Sequence, residues 1–252
     1  MKRVLITAGA SGIGRAMASG FAEAGHEVWV TDVDAVSLRD VPEGWHARQV
    51  DVSDEDAMRT IFDEIAEAGG LEVLCANAGT AGPTAPVDAI SLKDWKACLS
   101  VNLDGTFIAV KLAAPLMKAA GEGAIVITSS TAGQHGFPNR APYCAAKWAV
   151  IGLMKTLAME LGMHGVRANA ICPGPVEGPR MEKVLLREAE SKGMTRDALY
   201  AAYGAGMSMG RFVEPEDIAR MAVFLASDAA QLVSGQVIAV DGHTVNPDPK
   251  AG

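Results

Sequence analysis

The sequence is short of cations and of long apolar runs, and both shortages exclude classes of protein. Its 252 residues carry 22 lysines and arginines against 30 aspartates and glutamates, so the formal net charge is −8. A field of this sign repels polyanions, which argues against nucleic acid as a partner. No uninterrupted apolar run approaches the about 20 residues that a membrane helix needs, and the start lacks the apolar segment of a secretory signal. We therefore expect a cytoplasmic protein with no membrane association.

Cysteine is also scarce, which excludes a disulfide framework and argues against a bound metal. The four cysteines, Cys75, Cys98, Cys144 and Cys172, form no C-x-x-C pair and have no histidine at ligand spacing. Scattered thiols of this kind are typical of buried, reduced side chains inside a cell. We predict no metal site.

Short β-rich runs alternate with longer segments of helical period, a pattern typical of βαβ units around a parallel sheet. The predicted helices are 12–24, 54–68, 91–119, 142–161 and 214–226, and Ser53 is the expected cap of the second. We expect an α/β fold with a doubly wound sheet in one domain over 1–252, a lid inserted over about 175–212 and a loosely ordered tail from 246 to 252. The seven predicted strands are 4–7, 27–32, 46–50, 73–76, 124–128, 167–171 and 236–240.

A glycine-rich loop connects the first predicted strand to the first predicted helix. Glycines in this position permit a tight turn and close backbone approach, and the helix N-terminus offers free N–H groups to a diphosphate. We therefore predict a dinucleotide site. Its candidate residues in this loop are Gly9, Ser11, Gly12, Ile13 and Gly14.

Asp32, 18 residues after Gly14, stands where an acidic residue meets the adenosine ribose. A carboxylate accepts hydrogen bonds from the ribose hydroxyls and repels a 2′-phosphate, so the sequence favours NAD over NADP. Arg15 is the evidence for NADP, because a guanidinium beside the loop could hold that phosphate. A solvated turn residue is the alternative interpretation of Asp32.

Two further segments follow predicted strands at the edge where open α/β sheets bind ligands. Asp51 could accept a hydrogen bond from the adenine amino group, or could simply be a turn residue. The tripeptide Asn77, Ala78 and Gly79 is on its own no more than a turn signal.

A serine, a tyrosine and a lysine form the candidate catalytic group. Tyr143 and Lys147 are four residues apart on a predicted helix and share one face, and Ser130 closes a strand thirteen residues before Tyr143. A lysine ammonium about 4 Å from the phenol oxygen would contribute roughly 4 kcal/mol, enough to lower the tyrosine pKa from about 10 toward 7. Tyr143 would then act as a general base or acid near neutral pH.

Taken in order, these motifs resemble the short-chain dehydrogenase/reductase family along the whole chain. The resemblance rests on residues 7–14, Asp51, residues 77–79, Asn102, Ser130, Tyr143, Lys147, residues 173–174 and residues 235–242. It implies a seven-stranded Rossmann-type sheet, catalytic roles for Asn102, Ser130, Tyr143 and Lys147, and a homotetramer or homodimer. It also implies cofactor contacts from Val52, Tyr143, Lys147, Pro173, Gly174 and Val176.

The sequence departs from the family pattern at three places. Ala8 replaces the usual first glycine of the loop, so the loop conformation is expected to differ slightly. Ala76 stands where the family often has an asparagine. Gly178 stands near the place of a threonine that often anchors the carboxamide.

The substrate is not identified by the sequence, but candidate contacts are Ser130, His135, Asn139, Arg180 and Tyr203. Arg140, Arg187 and Tyr200 are further side chains expected to face it. Arginines near the lid suit a carboxylate, although solvated arginines on amphipathic lid helices are the simpler explanation. The low aromatic content, 5%, favours a small polar polyol, sugar or hydroxy acid.

The leading hypothesis is an NAD-dependent dehydrogenase of secondary alcohols. The alternatives are an NADP-dependent ketoreductase such as a 3-oxoacyl carrier reductase, a cofactor-binding regulatory protein without turnover, and a dehydratase or epimerase that uses a transient hydride step.

Overall fold

Seven parallel strands form one sheet in the computed structural model, which describes residues 1–248. The strand order is β3-β2-β1-β4-β5-β6-β7, which confirms the predicted doubly wound, Rossmann-like sheet. The strands are β1 (Arg3–Thr7), β2 (Glu27–Asp32), β3 (His46–Gln49), β4 (Val73–Ala76), β5 (Gly123–Thr128), β6 (Val166–Pro173) and β7 (Val237–Val240).

The central strands are apolar on both faces because helices cover the sheet on both sides. In β1, Leu5 belongs to one buried cluster, whereas Val4 and Ile6 belong to the other, and none of the three is exposed. Successive side chains of a strand point to opposite faces, so this run of β-branched and leucine residues fills two cores at once.

The helices divide between the two faces of the sheet and a separate lid. The elements α3, α5 and α6 contribute to the cluster around Leu5, α1 and α9 contribute to the other cluster, and α7 and α8 have a small core of their own. The helices are α1 (Gly12–Glu23), α2 (Ala35–Arg39), α3 (Glu55–Glu67), α4 (Leu92–Leu99), α5 (Gly105–Ala120), α6 (Ala141–Leu161), α7 (Pro179–Lys192), α8 (Arg196–Ala205) and α9 (Pro215–Ala226).

Two of the predicted helices differ in detail from the structure, and α2, α7 and α8 were not among the predicted helices. The long helix predicted over 91–119 is interrupted, because a π-helical turn, Ser100–Asp104, separates α4 from α5. The N-cap of α3 is Asp54 and not Ser53: the Asp54 carboxylate accepts a hydrogen bond from the Ala57 N–H at 3.0 Å. Asp54 is preferred because its carboxylate reaches the free amide of the first turn.

The segment Leu92–Ala120 is long and apolar enough to cross a membrane by length and composition, although it contains no long uninterrupted apolar run. In its most apolar part, 44% is buried inside the protein. Ala109, Ala113 and Met117 are fully buried in the core beside the sheet. Packing within the fold therefore accounts for part of its apolar character.

The chain reverses its direction of strand addition between β1 and β4, and this switch opens a crevice at the carboxyl ends of the strands. The lid helices α7 and α8 follow β6 and lie beside the crevice. The predicted loose tail is wrong as far as Asp248: the Asn246 N–H donates to the Gly206 carbonyl at 3.0 Å, and Asp248 pairs with Lys192 at 2.8 Å. The rest of that prediction, 249–252, lies outside the described residues.

Candidate active site

A cleft of about 550 Å³ lies at the carboxyl ends of the strands, between the sheet and the lid. Its wall includes most of the residues predicted from the sequence. These are Ser11, Gly12, Ile13, Gly14, Asp32, Asp51, Val52, Asn77, Ala78, Gly79, Ser130, Tyr143, Lys147, Pro173, Gly174, Val176, Arg180 and Tyr203. The candidate nucleotide and catalytic residues thus share one cavity.

The glycine-rich loop has open space where it faces the cleft, but no space for a side chain where it packs against the rest of the protein. Gly12 has φ +51°, and a Cβ built there meets no atom within 4 Å. A Cβ on Gly14 would lie 2.0 Å from the Ala8 carbonyl oxygen, so only glycine lets α1 pack against the loop. Ser11 caps α1 without a side-chain hydrogen bond. The first amides of α1 therefore remain available to an anion in the cleft.

The start of the loop shows the consequence of alanine in place of glycine. Ala8 has φ +52°, in the left-handed region, where a non-glycine residue costs about 1–2 kcal/mol. Gly9 faces the protein: its N–H donates to the Thr31 carbonyl at 2.9 Å, and an added Cβ would lie 2.6 Å from the Val30 side chain. The predicted cofactor residue Gly9 thus seats the loop on β2 and does not line the cleft.

Asp32 ends β2 with its carboxylate at the cleft and only 8% of the residue exposed. One oxygen accepts the Asp34 N–H at 3.1 Å and the other accepts the Ala10 N–H at 3.3 Å. Arg15 is oriented elsewhere, because its guanidinium donates to the Asp40 carbonyl at 2.7 Å and it is not part of the cleft wall. The local charge at this end of the cleft is therefore negative.

Asp51 and Thr7 organise the loops around the nucleotide end. One Asp51 oxygen accepts both the Ser53 N–H at 2.9 Å and the Ser53 hydroxyl at 2.7 Å, so Asp51 is a turn residue that also lines the cleft. The Thr7 hydroxyl accepts the N–H groups of Asn77 and Ala78, each at 3.0 Å. These bonds join the ends of β1 and β4 across the switch point.

Ser130, Tyr143 and Lys147 converge at the other end of the cleft, below the lid. Lys147 is 3% exposed, donates to the Thr128 carbonyl at 2.8 Å, and has its Nζ 5.8 Å from the Tyr143 ring centroid. Burial raises the pKa of Tyr143, but the charges of Lys147 and Arg180 and the Ser130 hydroxyl together lower it by more than burial raises it. The net pKa therefore lies below the ordinary tyrosine value. For Lys147 the effect of burial is the opposite: it lowers the pKa, because burial disfavours the charged ammonium.

Asn102 lies behind the cleft wall, fully buried in the π-helical turn. Its side-chain N–H₂ donates to the carbonyls of Thr80 at 3.0 Å and Cys98 at 2.9 Å. Its Oδ1 is buried without a partner among the described residues. A Cβ added to Gly79 would lie 2.7 Å from this oxygen and 3.4 Å from the Lys147 Nζ, so the acceptor and the ammonium flank the same glycine.

The predicted substrate contacts divide between the cleft and its surroundings. Arg180 and Tyr203 line the cleft, and the Tyr203 hydroxyl donates to Glu188 at 2.6 Å. His135 and Asn139 lie outside its wall, and Asn139 donates to the Ser191 hydroxyl at 3.2 Å. Asn139 therefore connects the loop before α6 to the lid.

Several wall residues were not among the predicted site residues. Thr244, Asn246 and Pro247 reach the cleft from the C-terminal segment. The segment is held by hydrogen bonds from the Val245 and Asn246 N–H groups to the Gly206 carbonyl, and no local sequence motif predicts these bonds. Arg140 also lines the cleft, with its guanidinium carbon 4.9 Å from the Tyr143 ring centroid. This position agrees with the expectation that Arg140 faces the substrate, whereas Arg187 and Tyr200, expected there too, lie outside the cleft wall.

Comparison with known proteins covers nearly the whole chain. A family described as Enoyl-(Acyl carrier protein) reductase matches residues 7–243. The chain is 38% identical over 245 residues to the cis-4-hydroxycyclohexanecarboxylate dehydrogenase of Sinomonas cyclohexanicum, with 94% of each chain covered. It is 36% identical over 252 residues to the D-threitol dehydrogenase of Mycolicibacterium smegmatis, covering 96% of this chain and 92% of that one. An NAD⁺-bound xylitol dehydrogenase structure superposes with a TM-score of 0.91 at 28% identity, covering 96% and 98%.

Proposed function

The chain belongs to the short-chain dehydrogenase/reductase family of NAD(P)-dependent oxidoreductases acting on CH–OH groups, and from that premise we propose an NAD-dependent dehydrogenase of secondary alcohols. Its substrate is a small polyol, sugar or hydroxy acid. The observation that carries the proposal is the placement of Ser130, Tyr143 and Lys147 in the same cleft as Asp32. The names of the relatives, a hydroxycyclohexanecarboxylate dehydrogenase and a threitol dehydrogenase, support this substrate range.

The cofactor end of the cleft suits NAD. The free amides of α1 and the open space over Gly12 would accommodate the diphosphate, and the Asp32 carboxylate would accept hydrogen bonds from the adenosine ribose hydroxyls. A 2′-phosphate at that position would meet the Asp32 charge, while Arg15 is occupied by the Asp40 carbonyl. When bound, NAD would supply the hydride acceptor.

The catalytic residues handle the proton of the alcohol. The substrate carbon loses a hydride and its oxygen loses a proton, which the Tyr143 phenolate takes as general base. Ser130 donates a hydrogen bond to the substrate oxygen and stabilises the charge that develops there. Lys147 keeps the Tyr143 pKa low and would hold the nicotinamide ribose of a bound cofactor. Asn102, with its buried acceptor beside Lys147, positions a water that carries the proton onward.

The test is nicotinamide absorbance with NAD and with NADP against a panel of polyols, sugars and hydroxy acids. Reduction of NAD by one class supports the proposal. A preference for NADP with a ketone substrate would establish the ketoreductase alternative. Cofactor binding without turnover would favour a regulatory protein, and product formation without net nicotinamide turnover would favour an epimerase or dehydratase.

Asp32→Asn tests the cofactor assignment. We expect the ratio of kcat/KM with NAD to kcat/KM with NADP to fall about 10- to 100-fold, because a charged hydrogen-bond acceptor contributes about 1.5–3 kcal/mol. Asp32→Ala should relax the choice at least as far. Asp34→Asn is the control, since this exposed carboxylate lies outside the cleft wall. An unchanged ratio in both Asp32 variants would contradict the assignment.

We also propose that 1–252 works as one domain, with 175–212 as its lid, in the cytoplasm. Four free cysteines suit a reducing compartment, and burial raises the pKa of Cys75 to about 12, which keeps that thiol unreactive.

A two-fold assembly is proposed on the outer faces of α5 and α6. Phe107 on α5 is 49% exposed, and Trp148 and Met159 on α6 are 53% and 84% exposed. Large apolar side chains grouped on adjacent helices are typical of a subunit interface. They support a homodimer or a homotetramer built from it.

Introducing charged side chains at this surface by substitution is expected to dissociate the assembly. The double variant Phe107→Glu and Trp148→Glu should raise the dissociation constant about 100-fold or more, because it buries carboxylates without partners. Light scattering at micromolar concentration measures the mass, with Val36→Glu, an exposed change on α2, as control. A wild-type protein found only as the 26.2 kDa chain would rule out the assembly.

A further inference from the structure

Two arginines give the catalytic end of the cleft a cationic character. Arg140 is 8% exposed and its Nε has no partner among the described residues. Arg180 is exposed at the start of α7, lines the same cleft, and makes no hydrogen bond or ion pair within residues 1–248. A buried guanidinium without a carboxylate is costly, and its planar fork matches a carboxylate in geometry and charge.

Both arginines lie near the reacting group. Arg140 is held in place, because its Nη2 donates to the Ala81 carbonyl at 3.1 Å and its guanidinium lies over the Tyr143 ring. Arg180 belongs to the lid, and its charge is among the causes that lower the pKa values of Tyr143 and Lys147. One cation therefore comes from the base of α6 and the other from the lid.

The carboxylates in the neighbourhood are engaged elsewhere. Glu177, which lines the cleft, accepts the Tyr200 hydroxyl at 2.5 Å. Glu188, in the lid core, accepts the Tyr203 hydroxyl and pairs with Lys192 at 3.5 Å. Neither ion-pairs with Arg140 or Arg180, so no carboxylate among the described residues neutralises the two guanidinium groups in the cleft wall.

Apolar side chains accompany the two cations in the cleft wall. Phe137 precedes Arg140, Met181 follows Arg180, and Val184 and Met207 complete this part of the lining. Such a wall suits a hydrocarbon skeleton better than a fully hydroxylated one.

We infer that the substrate is a hydroxy acid with an apolar skeleton, whose carboxylate is held by Arg140 and Arg180 while its hydroxyl meets Ser130 and Tyr143. This inference rests on the proposed function and narrows it, because polyols and neutral sugars offer no anion to this pair. Arg140 supplies a fixed contact, and Arg180 adds a contact from the lid.

A binding experiment tests the anion site without turnover. Cyclohexanecarboxylate and cyclohexanecarboxamide are titrated by calorimetry into the NAD-saturated protein. We expect the carboxylate to bind about 10- to 100-fold more tightly than the amide, and Arg180→Gln to remove most of that difference. Arg180→Lys should restore part of it, since it keeps the charge and loses the fork. Equal binding of the two compounds, or equal loss of both in Arg180→Gln, would overturn the inference.

Matched controls and a turnover arm separate this inference from the proposed function. Arg187→Gln, an exposed arginine on α7 outside the cleft wall, should leave the preference unchanged. Arg140→Lys tests the second cation and conserves the buried charge. In turnover, the kcat/KM ratio of 4-hydroxycyclohexanecarboxylate to its amide should fall in Arg180→Gln. Oxidation of both compounds without an acid preference would overturn the inference alone, whereas oxidation of no alcohol in the panel would overturn the proposed function.

Discussion

Tyr143→Phe is expected to lower kcat for alcohol oxidation by about 10³-fold or more while NAD binding persists. General acid–base catalysis contributes about 10²–10⁴-fold, and phenylalanine keeps the ring but cannot take the proton. The ring contacts with Arg140 and Lys147 need no hydroxyl, so we expect the fold to be retained. Steady-state absorbance gives kcat, and fluorescence titration with NADH gives the binding constant.

Tyr200→Phe is the matched control for this variant. Tyr200 lies outside the cleft wall and its hydroxyl bonds only to Glu177 among the described residues. Its loss should change kcat by less than about threefold. Comparable loss in both variants, or full activity of Tyr143→Phe, would show that Tyr143 is not the base.

Lys147→Met should move the pH dependence of oxidation to higher pH. The phenolate of Tyr143 is the active form, so the rate rises with pH through the Tyr143 pKa and is lost as the pH falls below it. That pKa lies below the ordinary value of 10 because the charges of Lys147 and Arg180 lower it by more than burial raises it. Without the ammonium the midpoint rises, and the rate near pH 7 should fall about 10²–10³-fold.

The pH–rate profile distinguishes this electrostatic role from a structural one. Methionine matches the length of the lysine stem and fills the buried site, so the melting temperature should change little. Lys155→Met, an exposed lysine on the same helix, should leave the midpoint unchanged. A uniform loss of activity in Lys147→Met with an unshifted midpoint would contradict the proposal that Lys147 tunes Tyr143.

The strands and the catalytic helix were predictable because their signals are local. Runs such as Val4 to Ile6 leave no polar face, which is what a parallel strand covered on both sides requires. Tyr143 and Lys147 share a face at helical spacing, and Asp32 ends a strand. Each of these features depends on neighbours within a few residues.

The features that the sequence did not reveal depend on distant contacts. The π-helical turn places Asn102 against Thr80, 22 residues away in the chain. The C-terminal segment is held by Gly206, about 40 residues earlier. Composition and periodicity contain no information on such pairs.

The two ends of the chain differ in what can be attached to them. Met1 is 95% exposed and precedes the amino-terminal end of β1, whereas the cleft lies at the carboxyl ends of the strands. Asn246 and Pro247 form part of the cleft wall, and Asp248 is tied to the lid through Lys192. A purification tag or a fused reporter at the N-terminus would extend away from the substrate entrance. The same addition after Gly252 would follow the wall residue Pro247 by only five residues, so we expect it to hinder the entry and release of small molecules.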